Sequence, residues 1–365
     1  DTLSKLKLRA SIGSVGNDNI GGRRFAYITT INSNANGYNW GYTADTYRQG
    51  VQEGEVGVEN LTWEKALKAN VGLEIGLWDE LDFQVDLFKE RRTSIFMQRA
   101  TIPTQVGFIN NPYANYGKVD NKGVDLSLNY NKRINKDWNI SLRGTFTYAK
   151  NEIIERDEPE SVKGTYRSIT GQSINTLWGL QAEGLFTEDD FVDGKLKEGI
   201  PVPQLGADVR PGDIKYRDMN NDGYITNADE GYIGNTTDPR LVYGFGGNLN
   251  FRQWDFSFFF QGTGDTYRII GGSDNFIPGS GQGVLGNVYT NYTDCWTADN
   301  PSQDVFWPRL SESTNNNNNR ASTFWKKDMS FLRLKTIELG YSLPQRITNK
   351  ICAKNIRFFA SGNNL

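Results

Sequence analysis

Read in steps of two, residues 241–262 (LVYGFGGNLNFRQWDFSFFFQG) separate into two faces. Leu241, Tyr243, Phe245, Gly247, Leu249 and Phe251 fall on one side, with Gly244, Gly246, Asn248 and Asn250 opposite. After a tight link at Gln253 and Trp254 the alternation resumes. Trp254, Phe256, Phe258 and Phe260 oppose Asp255, Ser257 and Gln261, and Phe259 is out of step. Successive strand side chains point to opposite faces, so the segment predicts a β-hairpin with one apolar and one polar face. Each arm is about ten residues, the length a tilted strand needs to cross a bilayer.

The unit recurs along the chain. Leu6, Leu8, Ala10 and Ile12 alternate with Lys5, Lys7, Arg9 and Ser11, and a Gly/Asn/Tyr-rich loop follows over about residues 13–61. Leu67 to Leu77, a turn at Trp78, Asp79 and Glu80, and Leu81 to Leu87 predict a second hairpin, followed by a loop over roughly 93–117. Val124 to Tyr130 and Trp138 to Tyr148 predict a third, around the turn NKRINKD. The longest insertion runs over about 151–239; the opening hairpin follows it, then a loop to about residue 329. Ile337 to Leu343 and Ile356 to Ala360 complete roughly nine strands. Short turns alternate strictly with long loops, the asymmetry of outer-membrane barrels. The pattern therefore predicts an all-β fold, an antiparallel transmembrane β-barrel with long extracellular loops. A soluble sandwich shares the period of two but has shorter strands and no one-sided loop lengths. An odd number of strands does not close an up-and-down antiparallel barrel, so further strands are expected beyond this sequence.

Composition narrows the choice. No run of eighteen apolar residues occurs, so a membrane protein of this sequence crosses as strands, because only helices and closed barrels satisfy every backbone group in lipid. The formal net charge of −3 is too balanced for a nucleic-acid binder. There is no histidine, which removes Ser-His-Asp and Cys-His catalysis and most transition-metal sites. Carboxylates two apart recur along the chain and carry no glycosidase signal by themselves; the chain is read as no enzyme. Cys295 and Cys352 are expected at opposite ends of the barrel, with no disulfide between them. No signal peptide is visible at Asp1, and the chain starts in a strand and stops just after one, so it reads as a piece of something larger.

Several ordered stretches carry a family resemblance. Residues 322–344 (STFWKKDMSFLRLKTIELGYSLP) resemble the sequence near the C-terminus of SusC/RagA-like TonB-linked outer-membrane transporters of Bacteroidetes. YGKVDNKGVDLSLNYN (116–131), GDIKYRDMNNDGYI (212–225), TDPRLVYGFGGNLNF (237–251), WTADNPSQDVFWPRL (296–310) and the closing FFASGNNL are similar to the same family, in the same order. The resemblance implies the C-terminal portion of a barrel of about twenty-two strands, spanning 1–365, with 151–239 as a long extracellular insertion. It implies TonB-dependent import of oligosaccharides or peptides across the Gram-negative outer membrane, with a SusD-like lipoprotein as lid and outer-membrane lipid around the wall. The plug and TonB box of the family have no counterpart in this sequence. The alternatives are a passive porin or surface adhesin, and a soluble carbohydrate-binding β-protein.

Candidate sites lie in the loops. Asp218, Asn220, Asp222, Gly223, Tyr224 and Asp229 match an EF-hand-type loop, with oxygen ligands at positions 1, 3 and 5, the turn glycine at 6 and the carbonyl of position 7. Asp229 stands where a bidentate Glu is usual, so the site is read as a structural calcium loop or as an Asx-rich turn. No cofactor is required. Loop aromatics beside Asn and Asp suit sugar faces, and Trp40, Tyr42, Tyr113, Tyr289 and Trp296 are singled out for solute or lid contact; the same rings also serve interfacial girdles or loop cores. Lys68, Glu74, Asp82, Asp86, Arg143 and Glu338 are expected to face the lumen. The five asparagines 315–319 read as a mobile loop tip.

Overall fold

A computed structural model describes residues 2–42, 46–271, 276–278, 288–312, 314–351 and 353–365. Among the described residues, nine long strands form one sheet: β1 (Leu3–Asn17), β2 (Glu64–Leu77), β3 (Leu81–Gln98), β4 (Tyr113–Arg133), β5 (Trp138–Glu155), β6 (Leu241–Phe251), β7 (Trp254–Gly264), β8 (Phe331–Ser342) and β9 (Arg357–Asn363). Each pairs antiparallel with its neighbour in the sequence, so the sheet is a simple meander, and every strand expected from the alternation is present. The β6–β7 link is closed by Arg252 in the left-handed region, at φ 53°.

Cross-strand register turns the alternation into rows. Trp138, Phe251, Trp254, Tyr341 and Phe358 are partners across five successive strands at the short-turn side. Ring centroids lie 4.4 Å apart for Trp138 and Phe251 and 4.7 Å for Trp254 and Tyr341. Above this row the same face stays apolar up to Tyr148, Leu241 and Gly264. An apolar band about ten residues tall, with an aromatic girdle at its edge, is the outer face of a membrane barrel.

Burial is inverted relative to a water-soluble fold. On interior strands of the sheet, Leu87 is 59% exposed and Leu339 is 49% exposed, whereas the fully buried hydrophobics (Leu180, Ile214, Trp307, Trp325) all belong to loops. A sandwich packs its alternating apolar face inward; this sheet presents it outward, as lipid requires. Phe259, the exception to the alternation, lies on the polar face. Gly244 and Gly246 make room for it, because a Cβ on either would come within 2.9 Å of its ring.

The structure changes the loop boundaries. Strands β3, β4 and β5 run for 18, 21 and 18 residues, so much of the expected loop 93–117 is strand that rises past the apolar band, with a register shift at Ile95. The expected loop 13–61 contains a hairpin, Ile31–Trp40 with Thr46–Glu53. Two insertions distant in sequence, before β6 and after β7, fold into one body. Short strands pair Thr176–Gly179 with Gly231–Thr236, and Ala182–Leu185 with Ile214–Tyr216. Leu180 N–H donates to the Ala321 carbonyl (2.9 Å), and Thr323 N–H donates back to the Leu180 carbonyl (3.0 Å).

Candidate functional site

The polar face of the sheet carries an ion-pair lattice built by register. Arg9 on β1 donates to both oxygens of Asp86 on β3 (3.1 and 2.9 Å) and pairs with Glu74 on β2 at 2.9 Å. Gln84 adds a hydrogen bond to Asp86 at 2.7 Å. Lys68 and Arg92 both pair with Glu90. Farther round, Arg357 joins Asp255 and Glu338, and the Arg143 guanidinium sits 5.0 Å from the Phe259 ring centroid. Lys68, Glu74, Asp82, Asp86, Arg143 and Glu338 thus share the face opposite the apolar band, as expected from the alternation. Charges of both signs in partial exposure form a wet, hydrogen-bonding surface able to contact a polar solute.

The loop body is organised on one carboxylate. Asp213 is fully buried and accepts from Arg309 through both oxygens (3.1 and 3.1 Å), from the amides of Asn315 (3.0 Å) and Asn318 (2.9 Å), and from the Arg210 backbone N–H (2.8 Å). The Asn318 side-chain oxygen accepts from Ile214 N–H at 2.9 Å, and Asn317 donates to the Ile214 carbonyl at 2.9 Å. Tyr216 O–H donates to the Asn317 carbonyl (2.7 Å) and Trp325 Nε1–H to the Asn318 carbonyl (2.8 Å). Asn315, Asn317, Asn318 and Asn319 are buried, and Asn316 alone of the five is exposed. The reading of 315–319 as a mobile tip is therefore corrected: the run is the polar centre of the body. Its side chains satisfy a buried carboxylate and the backbone around it, which a low-dielectric interior demands. Burial pushes the Tyr216 hydroxyl far above its ordinary range.

A second clamp ties the body to the strand rim. Buried Asp157, just after β5, accepts from Arg99 (2.8 Å), from Thr101 Oγ1 (2.7 Å) and from the Ala100 and Thr101 amides. Burial works against its charge, yet the hydrogen bonds from Arg99 and Thr101 outweigh it and hold the carboxyl well below the usual range. Glu158 does the same for the next loop: burial opposes ionisation, and the bonds from Thr170, Ile169 and Ser168 lower its pKa overall. Lys326, which donates to the Ile233 carbonyl and Asn235 at 3.0 Å each, is lowered by burial.

The sequence-derived candidates are dispersed. Trp40 is an exposed ring at the end of the 31–53 hairpin, edge-on to Tyr38 at 5.5 Å, and Tyr42 is fully exposed. Tyr113 opens β4, stacked on Phe96 at 5.2 Å beneath the Arg23 guanidinium. Tyr289 stacks on Trp307 at 5.6 Å and keeps one exposed side. Trp296 is only 6% exposed and belongs to the core of the body. It covers Gly212, whose φ of +87° suits glycine and whose notional Cβ would lie 2.2 Å from the indole. The five rings therefore form no common site; Tyr289 and Trp296 alone belong to one cluster, around Trp307. Cys295 is a free thiol, and Cys352 lies outside the described residues.

In the turn 218–229, Asp218 accepts from the amides of Asn221 (2.6 Å) and Gly223 (2.8 Å), and Asp222 from that of Tyr224 (2.8 Å). Gly223 has φ +83°, as the sharp turn requires. Asp229 is buried, and its two oxygens accept from Met219 N–H (2.9 Å) and Thr226 N–H (2.8 Å). Among the described residues, no three His, Cys, Asp or Glu side chains converge as a metal-binding group. The sequence missed Asp213 and Asp157, the two carboxylates that organise the loops. Only the position of Asp213 inside GDIKY, directly before the Asx turn, marks it out.

Comparison with known proteins completes the description. A family model described as "TonB dependent receptor-like, beta-barrel" matches residues 5–365. TonB-dependent receptor P26 of Formosa agariphila is 28% identical over 377 residues, covering 100% of this chain and 36% of the relative. TonB-dependent receptor SusC of Bacteroides thetaiotaomicron is 25% identical over 353 residues, covering 94% of this chain and 32% of the relative. The chain spans about a third of the length of the curated relatives it matches. Among solved structures, the RagAB peptide importer in its open-open state superposes with a TM-score of 0.72 at 24% identity, over 100% of this chain and 36% of that one. A further RagAB peptide transporter structure gives 0.68 at 25% identity, over 100% and 37%.

Proposed function

The chain belongs to the TonB dependent receptor-like β-barrel family, is SusC/RagA-like and is an outer-membrane protein; from that premise we propose that it supplies barrel wall and outer loops to an active importer of an oligosaccharide or a peptide. The family is one of transporters and receptors, not of enzymes. In this reading a SusD-like surface lipoprotein closes over the loop body, TonB supplies energy through a plug inside the barrel, and the wall contributes no covalent chemistry. The observation that carries it is the pairing of a charged inner wall with a solid loop body on the long-loop side. Ion pairs such as Arg9–Asp86 and Arg357–Asp255 keep the wall hydrated and hydrogen-bonding. The Asp213 centre gives a lid a firm surface to close on. The test is detergent extraction of the full-length protein and identification of what co-purifies. A stoichiometric SusD-like lipoprotein, with solute uptake abolished in cells lacking TonB, is the expected result. A barrel without a lid whose uptake is undiminished in such cells overturns the reading in favour of a passive porin.

For the turn 218–229 the proposal is a structural calcium ion held by Asp218, Asn220, Asp222 and the Tyr224 carbonyl. With Asp229 engaged by two backbone amides, the site has fewer carboxylate ligands than an EF-hand and binds in the weaker range that extracellular modules occupy. Calorimetric titration is expected to give calcium heats that disappear in Asp222→Ala; equal heats from both proteins assign the turn to Asx chemistry alone.

A further inference from the structure

The outer face of the wall carries a feature that import does not use. Directly above the apolar band, Lys89 on β3, Lys122 on β4 and Lys150 on β5 are register partners in one row. All three alternate in phase with the lipid-facing residues: the next row down is Leu87, Val124 and Tyr148. The row above holds Arg91, Asp120 and Glu152. Arg91 neutralises Asp120 through two bonds of 2.6 Å, and Lys89 stands 4.0 Å from the same carboxylate. Lys122 and Lys150 are exposed and make no ion pair among the described residues. With four cations against two anions, the patch carries a net charge of +2. Cations at this level are not needed to keep the strands wet, since the polar face already does so.

Beneath the row the apolar face is not flat. Gly144 on β5 leaves a groove of about 560 Å³ between Phe83, Leu126, Leu128, Phe146 and Phe245. It lies six residues below Lys150, roughly 20 Å along a strand. For a strand tilted about 40° that is roughly 15 Å along the membrane normal, half the thickness of the bilayer hydrocarbon. An amphiphile with its anionic head at the lysines would place a chain in the groove.

We propose that β3, β4, β5 and β6 form an outward-facing seat for a phosphorylated glycolipid of the outer leaflet, lipid A in chemical class, with Lys89, Lys122 and Lys150 on its phosphate and the Gly144 groove on an acyl chain. The seat rests on the outer-membrane orientation and is independent of solute and lid. Phosphate oxygens suit a row of ammonium groups, each a mobile point charge with three donors. An acyl chain suits a groove lined mostly by apolar side chains, Ser127, Thr145 and Tyr243 being the polar members of its lining. The row stands on the long-loop side, where the outer leaflet of a bacterial outer membrane carries its phosphorylated glycolipid.

The test uses the full-length protein purified in detergent and stripped of lipid. Native mass spectrometry then reads binding of added lipid A, of enzymatically dephosphorylated lipid A, and of inorganic phosphate as competitor. Wild type is expected to take phosphorylated lipid A in preference to the dephosphorylated form, with millimolar phosphate leaving it in place. The triple variant Lys89→Ala/Lys122→Ala/Lys150→Ala is expected to bind on the order of a hundredfold more weakly, from about a factor of five per lysine near an anionic surface. Gly144→Leu provides a second reading, since an added Cβ there meets nothing nearer than 4.0 Å; filling the groove is expected to weaken lipid A binding with all lysines present, and unchanged heat-modifiable migration checks that the barrel still forms. Equal binding of the two lipid A forms, wild-type binding by the triple variant, or full displacement by inorganic phosphate overturns the proposal. Co-purification of the lid lipoprotein with the triple variant, unchanged from wild type, separates failure of this seat from failure of the import reading.

Discussion

Asp213→Ala is expected to unfold the loop body while leaving the nine-stranded wall assembled. The substitution strands the Arg309 guanidinium and the amides of Asn315 and Asn318, all aimed at a carboxylate with no solvent exposure. Removing one partner of a buried, hydrogen-bonded ion pair costs about 3–5 kcal/mol, because the remaining charge is left uncompensated. The body has a modest apolar core, with Trp307, Trp325, Leu180 and Ile214 at its centre, so a loss of that size is comparable with the stability of an isolated small domain. The wall draws its stability from a separate set of ladders and from lipid. Hydrogen exchange is expected to show protection lost across 176–236 and 288–328, with β3, β4 and β5 unchanged and heat-modifiable migration on denaturing gels retained. Asn316→Ala, at the exposed member of the run, stays within about 0.5 kcal/mol of wild type. Equal protection of the body in Asp213→Ala and wild type would refute the central role of this carboxylate.

What the sequence disclosed follows from what has a period. Alternation alone separated the lipid face from the lumen face on all nine strands, down to the side taken by Asp86 and Glu338, because a strand has no other way to segregate its side chains. It did not disclose where the strands end. Beyond Leu87 and Val124 the outer face turns polar too, as Lys89, Arg91, Asp120 and Lys122 show, so both faces become hydrophilic and the alternation vanishes while the ladder continues. The loop body has no period. Its centre depends on Asp213 meeting Asn315 and Asn318 about a hundred positions later, and neither composition nor spacing encodes such a meeting. Five asparagines look like a disordered tract until a buried carboxylate is found to need them. Trp296 misled in the same way: an aromatic in an Asn- and Asp-rich loop resembles a sugar platform, yet this ring roofs Gly212 in the core. In the turn 218–229 the Asp and Asn spacing and the sharp turn at Gly223 were legible. The engagement of Asp229 by Met219 and Thr226 was not, because it depends on how the short turn at 227–229 swings the side chain.

Phe258→Arg and Ser257→Arg, adjacent substitutions on β7, are expected to have opposite fates. Phe258 sits near the middle of the apolar band, in the row of Leu142, Gly247 and Ile337. Arginine there must hold a guanidinium at the depth of the hydrocarbon, which costs a membrane barrel about 2–4 kcal/mol at the midplane, and contact with the neighbouring Phe256 and Phe260 rings is lost as well. Ser257, one residue away, points to the other face, where its register partners are Asn248 and Glu338. An arginine on that face joins the lattice that already holds Arg357 and Asp255, and the change stays within about 0.5 kcal/mol. The measurement is the fraction of full-length protein recovered in the outer membrane as a heat-modifiable barrel, followed by the denaturant midpoint in lipid vesicles. Depletion of Phe258→Arg with normal Ser257→Arg fixes which face meets lipid. The reverse order would mean that the apolar rows line the interior and the charged lattice faces out. Equal tolerance of both would mean that neither face meets hydrocarbon, since in water an exposed arginine is as acceptable at one position as at the other.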